Sequence, residues 1–317
     1  MGDLQAAWLE PQRWKRDGKA DPVIGLGEEG AFDDMHLFAP CALWEDDQFR
    51  LYYSGSSGDV GGRVFQLGHA SGTDGVHFRK NPEGPVFEVD HSNDSILTPA
   101  LLRQGTGQIV RENGRLRLWY SSTDFPTGTG RHTLHDTTSD DGFCWDSPSD
   151  VQLENAYAPS VLKVAGEYRL WYTDVSDEPW CIRHARSEDG HHWSVTEAPV
   201  LELDQSWEWG RLFYPYVLQP EPKLFVMWYG SYQSADPHKT ALGVAVSEDG
   251  IRWQKSDHNP VFGPDAARAW ESHYTTSQSI QQLHDGRWRM WYASRPAPPF
   301  QHKYFAIGTD SWDGPGS

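Results

Sequence analysis

The sequence predicts an all-β fold, a five-bladed β-propeller whose four-stranded antiparallel blades surround a central funnel. Three observations carry the prediction: a strand ending in an aromatic pair recurs five times, a hairpin turn precedes each copy, and a third strand leading to a turn follows it. The recurring strands are FRLYYSG, LRLWYSS, YRLWYTD, FVMWYGS and WRMWYAS. Their second aromatics, Tyr53, Tyr120, Tyr172, Tyr229 and Tyr292, lie 67, 52, 57 and 63 residues apart, a spacing that suits a four-stranded blade with loops of variable length.

Each element follows from local pattern. In PSVLKVAGEYRLWY, from Pro159, alternating apolar residues meet at a Gly turn, which reads as the hairpin of a blade's first two strands. Third strands end in Asp-Gly turns: GHASGTDGVHF, HDTTSDDGFCW, RHARSEDGHHW and GVAVSEDGIRW, with AIGTDSWDG in the last copy. After the turn come Phe78, Trp145, Trp193 or Trp253, and in three blades a Pro-Val segment at Pro85, Pro199 and Pro260, expected to form the outer strand and its exit. The fifth copy shows only three strands, so the segment from Trp8 to Val23 is expected to supply its outer strand and close the ring. No linker or shift of composition interrupts the array, and residues 1–317 are expected to form one domain.

Composition narrows the function. The 45 acidic residues outnumber the 27 basic ones, leaving a formal charge of -18 that repels a phosphate backbone, so no nucleic-acid partner is expected. Trp 16, Tyr 13 and Phe 13 supply much of the buried area. Cys41, Cys144 and Cys181 show no metal-ligand spacing and no disulfide framework. The opening residues lack a secretory apolar run and no stretch is long enough to span a membrane, so a cytoplasmic protein without a membrane partner is expected. Acidic residues and carbonyls around a funnel are also the chemistry of a structural calcium site, but no ligand spacing marks one, and no cofactor is expected. A homo-oligomer is left open.

Residues repeated in every blade serve the scaffold, so chemistry is expected where the blades differ, just upstream of each inner strand. Seven residues before Pro40, Pro215 and the aligned Gln278 stand Asp33, Glu208 and Glu271, each after an aromatic: Phe32, Trp207 and Trp270. Three residues further on, the same register holds His36, Arg211 and Tyr274, with Asn155 in the third blade beside Glu154. The second blade's inner strand is placed near Gln108 without this motif, and its upstream loop offers Asp90, His91, Asn93, Asp94 and Arg103. Cleaving a glycosidic bond needs one carboxylic acid for the leaving oxygen and one carboxylate as base or nucleophile, and acids gathered at one funnel provide both. Like charges brought together also raise one member's pKa. Trp209, Tyr157, Tyr214, His273 and Trp180 are expected as sugar platforms and hydrogen-bonding groups near the rim. The alternative for each acid is a backbone-bonding role between blades.

From Phe32 to Gly314 the five copies resemble the five-bladed propeller glycoside hydrolases, the group that holds families 32, 43, 62, 68, 117 and 130. The resemblance to family 43 implies an Asp base on the first blade, where Asp33 or Asp34 falls, a Glu acid on a later blade, matched by Glu208, a second carboxylate that tunes the acid, for which Asp94 and Glu154 are candidates, and inversion of configuration. The chain departs from families 43 and 32 at the residue before the inner-strand proline, which is Ala39 in the first blade and Ala158 in the third where they carry Asp. The expected function is therefore a glycoside hydrolase acting on a small oligosaccharide or glycan end. Two alternatives stand beside it. One is a phosphorylase as in family 130, with Arg211, His273, Lys239 and Arg131 as phosphate holders; the other is a non-catalytic carbohydrate-binding propeller. His36, His273 and His238 are each more often ordinary polar residues than catalytic ones.

Overall fold

The structure, a computed structural model, describes residues 3–17, 21–89, 94–126, 131–235, 239–297 and 305–317. Five antiparallel sheets stand in a ring. Blade 1 runs outward from His36–Glu45 through Gln48–Ser56 and Gln66–Gly72 to Arg79–Lys80, each strand paired with the next. Blades 2, 3 and 4 repeat this order from Leu97–Leu101, Ala156–Val164 and Trp209–Glu221. Blade 5 has Tyr274–Gln282, Trp288–Arg295 and Ala306–Trp312, and its outer strand is Lys15–Arg16, with Lys15 opposite Ser311 and Arg16 opposite Asp310. The expected N-terminal closure is thus realised in two residues of the predicted segment. The proline segments turn back onto the third strand: Leu67 N–H donates to Phe87 O at 2.8 Å, and Leu242 N–H does the same to Phe262 O. No described helix is long and apolar enough to cross a membrane.

The first aromatic of each pair joins its blade to the next. Tyr52 Oη donates to Gly142 O at 3.1 Å, Trp119 Nε1 to Gly190 O at 3.1 Å, Trp171 Nε1 to Gly250 O at 2.8 Å and Trp291 Nε1 to Gly75 O at 2.9 Å, each acceptor lying in the Asp-Gly turn of the following blade. Those five-residue turns are held from within. In blade 3, Asp189 Oδ1 accepts the N–H groups of His191 and His192, both at 2.8 Å, and Gly190 takes φ 72, a region costly for a residue with a Cβ. A Cβ there would also lie 3.0 Å from Trp119 Cζ2. The turn therefore needs glycine for its backbone and for the indole against it. Trp119, Trp171, Trp228 and Trp291 are fully buried, so the core is a set of layers between adjacent blades; each such side chain contributes about 1.5–3 kcal/mol through burial.

Blade 4 departs from this rule, because the last blade's turn belongs to the seam. Trp228 Nε1 donates instead to Gln12 Oε1 at 2.9 Å, and Trp8, from the helix Asp3–Leu9, packs edge-on against Trp228, Trp288 and Trp312. The N-terminal segment thus fills the place of a turn as well as that of a strand.

Every inner strand breaks at one level. Ala39, Thr98, Ala158, Tyr214 and Ser277 all have positive φ, between 46 and 54, and each marks a register shift against the second strand. These are five aligned β-bulges, four of them directly before proline. Three are held alike, by a hydroxyl on the preceding blade that accepts the bulge N–H: Ser54 for Thr98 at 3.2 Å, Ser121 for Ala158 at 3.0 Å and Thr173 for Tyr214 at 3.1 Å. Blades 4 and 5 carry Gly230 and Ala293 at the hydroxyl position. There Gln278 Nε2 donates to Tyr214 O and Trp228 O, and Ala39 N–H donates to Ser277 Oγ at 3.1 Å. The same bulge corrects the expected start of blade 2: its inner strand is Leu97–Leu101, with Thr98-Pro99 in register with Ala39-Pro40, and Gln108 belongs to the long connection that follows.

Candidate active site at the funnel mouth

Above the bulge ring the inner strands enclose a cavity of about 220 Å³. Strand periodicity decides what faces it. Phe38, Leu97, Tyr157, Phe213 and Thr276, two residues before each proline position, all line it, and two residues earlier His36, Arg211 and Tyr274 line it too. Three arginines lie in its wall, each over an aromatic ring: Arg63 3.8 Å from the Phe125 centroid, Arg211 3.9 Å from Trp180, and Arg295 3.8 Å from Tyr274 and 4.4 Å from Phe305. The phenols form pairs: Tyr157 and Tyr214 share a hydrogen bond, and Tyr274 Oη donates to Tyr232 Oη at 3.2 Å. Burial raises the pKa of Tyr157, Tyr214 and Tyr274, so all three stay protonated donors. Burial lowers that of His132 to about 4, leaving its ring neutral near pH 7. Among the described residues no carboxylate lines the cavity. Glu178 touches it indirectly, through an ion pair with Arg211.

The recurring acids sit elsewhere, and this corrects the expectation that they converge. Asp33 accepts from Tyr53 Oη at 2.8 Å and from Lys80 Nζ at 2.6 Å. Glu208 accepts from Tyr229 Oη at 2.7 Å, from Lys255 Nζ at 2.8 Å and from the N–H groups of Asp204 and Gln205. Glu271 accepts from Tyr292 Oη at 2.6 Å and Arg16 Nε at 3.1 Å. In each case the tyrosine is the second aromatic of the blade's own pair and the cation comes from its outer strand. The preceding aromatic lies against that tyrosine: Phe32 on Tyr53, Trp207 on Tyr229, Trp270 on Tyr292. Burial, then the adjoining carboxylate, raises the phenol pKa of Tyr53 and Tyr229 and fixes them as donors. Three blades therefore use one acid–tyrosine–cation lock, inside the blade and away from the axis. The physical reason is position: seven residues before the proline lies ahead of the strand, where the chain still packs along the blade's flank.

The remaining expected residues divide in the same way. His36, Arg211, Tyr214 and Tyr274, with Tyr157 and Trp180, line the cavity. Asp34 is buried and accepts the Gly30 N–H at 2.9 Å, two residues before His36 but outside the lining. Glu154 pairs with Arg131, and Asn155, at φ 56, accepts the Val175 N–H at 3.0 Å as a turn residue. Trp209 is 45% exposed. His273 is buried behind Tyr274, and Asp94 forms a backbone bridge with Asp124 beside Phe125. Asp90, His91, Asn93 and His238 lie outside the described residues. Arg295 and Tyr232 escaped the sequence reading although a signal existed. Both stand three residues after the second aromatic, a position occupied by Ser56, Thr123, Val175, Tyr232 and Arg295 in turn, and such divergence within a repeat marks a specialised surface. Among the described residues no cluster of three or more His, Cys, Asp or Glu is placed to hold a metal.

No protein-family model matches the chain. It is 25% identical over 246 residues to an uncharacterised protein of Mycobacterium tuberculosis, covering 74% of this chain and 78% of that one. Over 143 residues it is 29% identical to a protein of Psychromonas ingrahamii that carries the name sucrose-6-phosphate hydrolase, 41% of this chain and 25% of that one. Among solved structures, a glycosyl hydrolase from Bacteroides ovatus superposes with TM-score 0.72 at 17% identity, covering 96% of this chain and 94% of that one. A structure from the GH130 family of mannoside phosphorylases, described as containing glycoside hydrolases that target β-1,2 mannosidic linkages in Candida mannan, does so with TM-score 0.71 at 17% identity over 98% and 95%. The chain thus has the five-bladed propeller fold of glycoside hydrolases and of GH130 proteins.

Proposed function

We propose that the protein is a glycosidase-type enzyme that holds a saccharide in the axial cavity and requires an anion there, carried by the sugar or supplied as phosphate. One observation carries the reading: in a molecule of net charge -18, three arginines, Arg63, Arg211 and Arg295, line one cavity, each against an aromatic ring, with Glu178 paired to Arg211 from outside the lining. Aromatic rings beside protonated phenols suit the faces and hydroxyls of a sugar, and three guanidinium groups suit a carboxylate or phosphate. The likeness to glycosyl hydrolases and to GH130 proteins supports carbohydrate as the substrate class.

Asp33 and Glu208, held inside their blades, are poorly placed as the reacting pair. The reading therefore assigns proton transfer to carboxylates that adjoin the lining: Asp34 before His36, Glu178 on Arg211, and Asp94 or Asp124 beside Phe125. The same arginines favour phosphorolysis as a second reading, in which a phosphate oxygen attacks the anomeric carbon, the glycosidic C–O bond breaks and the leaving oxygen takes a proton. The test is a product screen by NMR, with neutral, uronate-bearing and phosphorylated oligosaccharides, each with and without inorganic phosphate. Turnover confined to acidic substrates supports hydrolysis of an anionic glycoside, and a sugar phosphate formed only with phosphate supports the second reading. Equal turnover of neutral sugars without phosphate, unaffected by Arg295→Met, overturns both.

A further inference from the structure

At the bulge ring the axis narrows to a second, smaller chamber of about 40 Å³, lined by the bulge residues, the prolines after them, and Cys41, Tyr216, Gln278 and Arg103. The long blade 2 connection packs against blade 4. Gln219 N–H donates to Gly105 O at 2.5 Å, and Gly107, at φ 89, packs against Leu218 of blade 4. Leu102 and the connection thereby carry Arg103 back under the axis, where it pairs in parallel with Leu162 of blade 3.

Arg103 is 2% exposed. Its Nη2 donates to Ser160 Oγ at 3.1 Å and its guanidinium lies 4.0 Å from the Tyr216 ring centroid, but Nη1 has no hydrogen-bond partner among the described residues, and no ion pair there involves it. The polar groups around it do not neutralise it. Ser160 Oγ already accepts the Val217 N–H, Tyr216 Oη donates to Ile280 O, and Gln278 spends its amide on two carbonyls, leaving Oε1 unpartnered. The groups in the wall able to become anions are the Cys41 thiol and the phenols of Tyr214 and Tyr216; burial raises the pKa of Cys41 and of Tyr214, the Cys41 sulfur accepts the Leu101 N–H, and the Tyr216 hydroxyl is spent as a donor to Ile280 O. A buried guanidinium with an open N–H and no counter-charge is strongly disfavoured, and proteins resolve such sites by pairing them.

We propose that the axial chamber is a binding site for a single small inorganic anion, a halide such as chloride, held by Arg103 Nη1. A halide is a spherical anion that accepts hydrogen bonds from all directions, which fits one donor in a narrow space. A water-sized occupant takes about 10–15 Å³ by the same measure, so the chamber has room for the anion and for a water that donates to Gln278 Oε1. The two cavities meet at the bulge ring, where Tyr214 lines both, so the anion is tested in the absence of carbohydrate.

The test uses the full chain. Crystals grown in sodium bromide are expected to show an anomalous peak within hydrogen-bond distance of Arg103 Nη1. Thermal unfolding at constant ionic strength, with chloride replacing the bulky gluconate, is expected to rise by roughly 2 °C or more per tenfold chloride once binding saturates, and Arg103→Met is expected to lose that dependence. Water alone in the chamber of bromide-grown crystals overturns the proposal, as does a melting temperature indifferent to chloride in the native chain. If Arg103→Met does not fold, the crystal and the native chain's chloride response still decide.

Discussion

At the scale of single residues, the acid–tyrosine–cation lock is the clearest case of a signal that was legible but whose meaning was not. The spacing of Asp33, Glu208 and Glu271 from their prolines was read from sequence, and the shared structural address is real. Sequence could not show that Tyr53, Tyr229 and Tyr292 reach back to these acids from the second strand. Recurrence in three blades is itself the mark of scaffold. It follows that Glu208→Gln leaves Lys255, whose side chain is 5% exposed, with Asp204 and the Glu202 carbonyl as its remaining partners. The expected cost is about 1–3 kcal/mol from the weakened buried hydrogen bonds, read as a lowered urea midpoint, with saccharide binding at the funnel unchanged; loss of binding at native stability would contradict the lock. His184 carries a second prediction at this scale. It is fully buried against Trp171, neither ring nitrogen has a partner among the described residues, and burial lowers its pKa to about 3. Unfolded chain takes up a proton near pH 6.5 and the folded chain does not, so stability at this site is present above pH 6.5 and is lost as pH falls toward 3. Thermal melts of His184→Phe between pH 7 and 4 are expected to decline less steeply than those of the native chain.

At the scale of elements, hairpins, turns and the aromatic-pair strands were readable because each depends on local pattern, on Gly at an Asp-Gly turn or on alternation. Blade 2 was misplaced because its inner hairpin is longer: Pro99 stands 21 residues before Tyr120, against 13 from Pro40 to Tyr53. Leu-Thr-Pro was the available marker, since it places proline where the other blades carry it. The bulges themselves were hidden, because Ala, Thr and Tyr before proline, and Ser before Gln278, announce no positive φ. Their cost is offset by the hydroxyls that accept the exposed N–H groups across blades. Ser121→Ala leaves the buried Ala158 N–H without its acceptor, with an expected loss of about 1–3 kcal/mol. The same change at Ser311, which serves no bulge, is expected to be milder, and comparable losses at both sites would argue against the role. Gly190→Ala combines a positive φ with a Cβ 2.7 Å from Arg117 Nη1, so it is expected to be more damaging than a change at Gly30, where φ is positive but space is open.

At the scale of the whole molecule, ring closure rests on a strand of only two residues, Lys15–Arg16. Arg16 donates to Glu271, to Asp310 at 2.8 Å and to Gly263 O, holding two carboxyls and a backbone carbonyl with one guanidinium. Burial raises the Asp310 pKa to about 6 and also raises that of Glu271, against the pull of Arg16. A carboxyl with a raised folded pKa stabilises most below its unfolded value near 4 and loses that contribution as pH climbs through 6. Arg16→Met removes the opposing charge, so its melting deficit is expected to be larger at pH 8 than at pH 5; an equal deficit at both would remove Arg16 from the ionic balance. The need for an outer strand in blade 5 was legible from a count of strands, but not which two residues of the segment provide it, because Lys15 and Arg16 carry no strand pattern of their own.

This seam also sets how the ring responds to tension. Lys15, on the side leading toward the start of the chain, faces Ser311, on the side leading toward its end. The two chain directions therefore leave the pair at the same edge, and traction between them peels the ladder bond by bond instead of sliding it. In an optical trap the first rip is expected at low force, releasing the Trp8 helix and Arg16 together and leaving blade 5 with its three remaining strands.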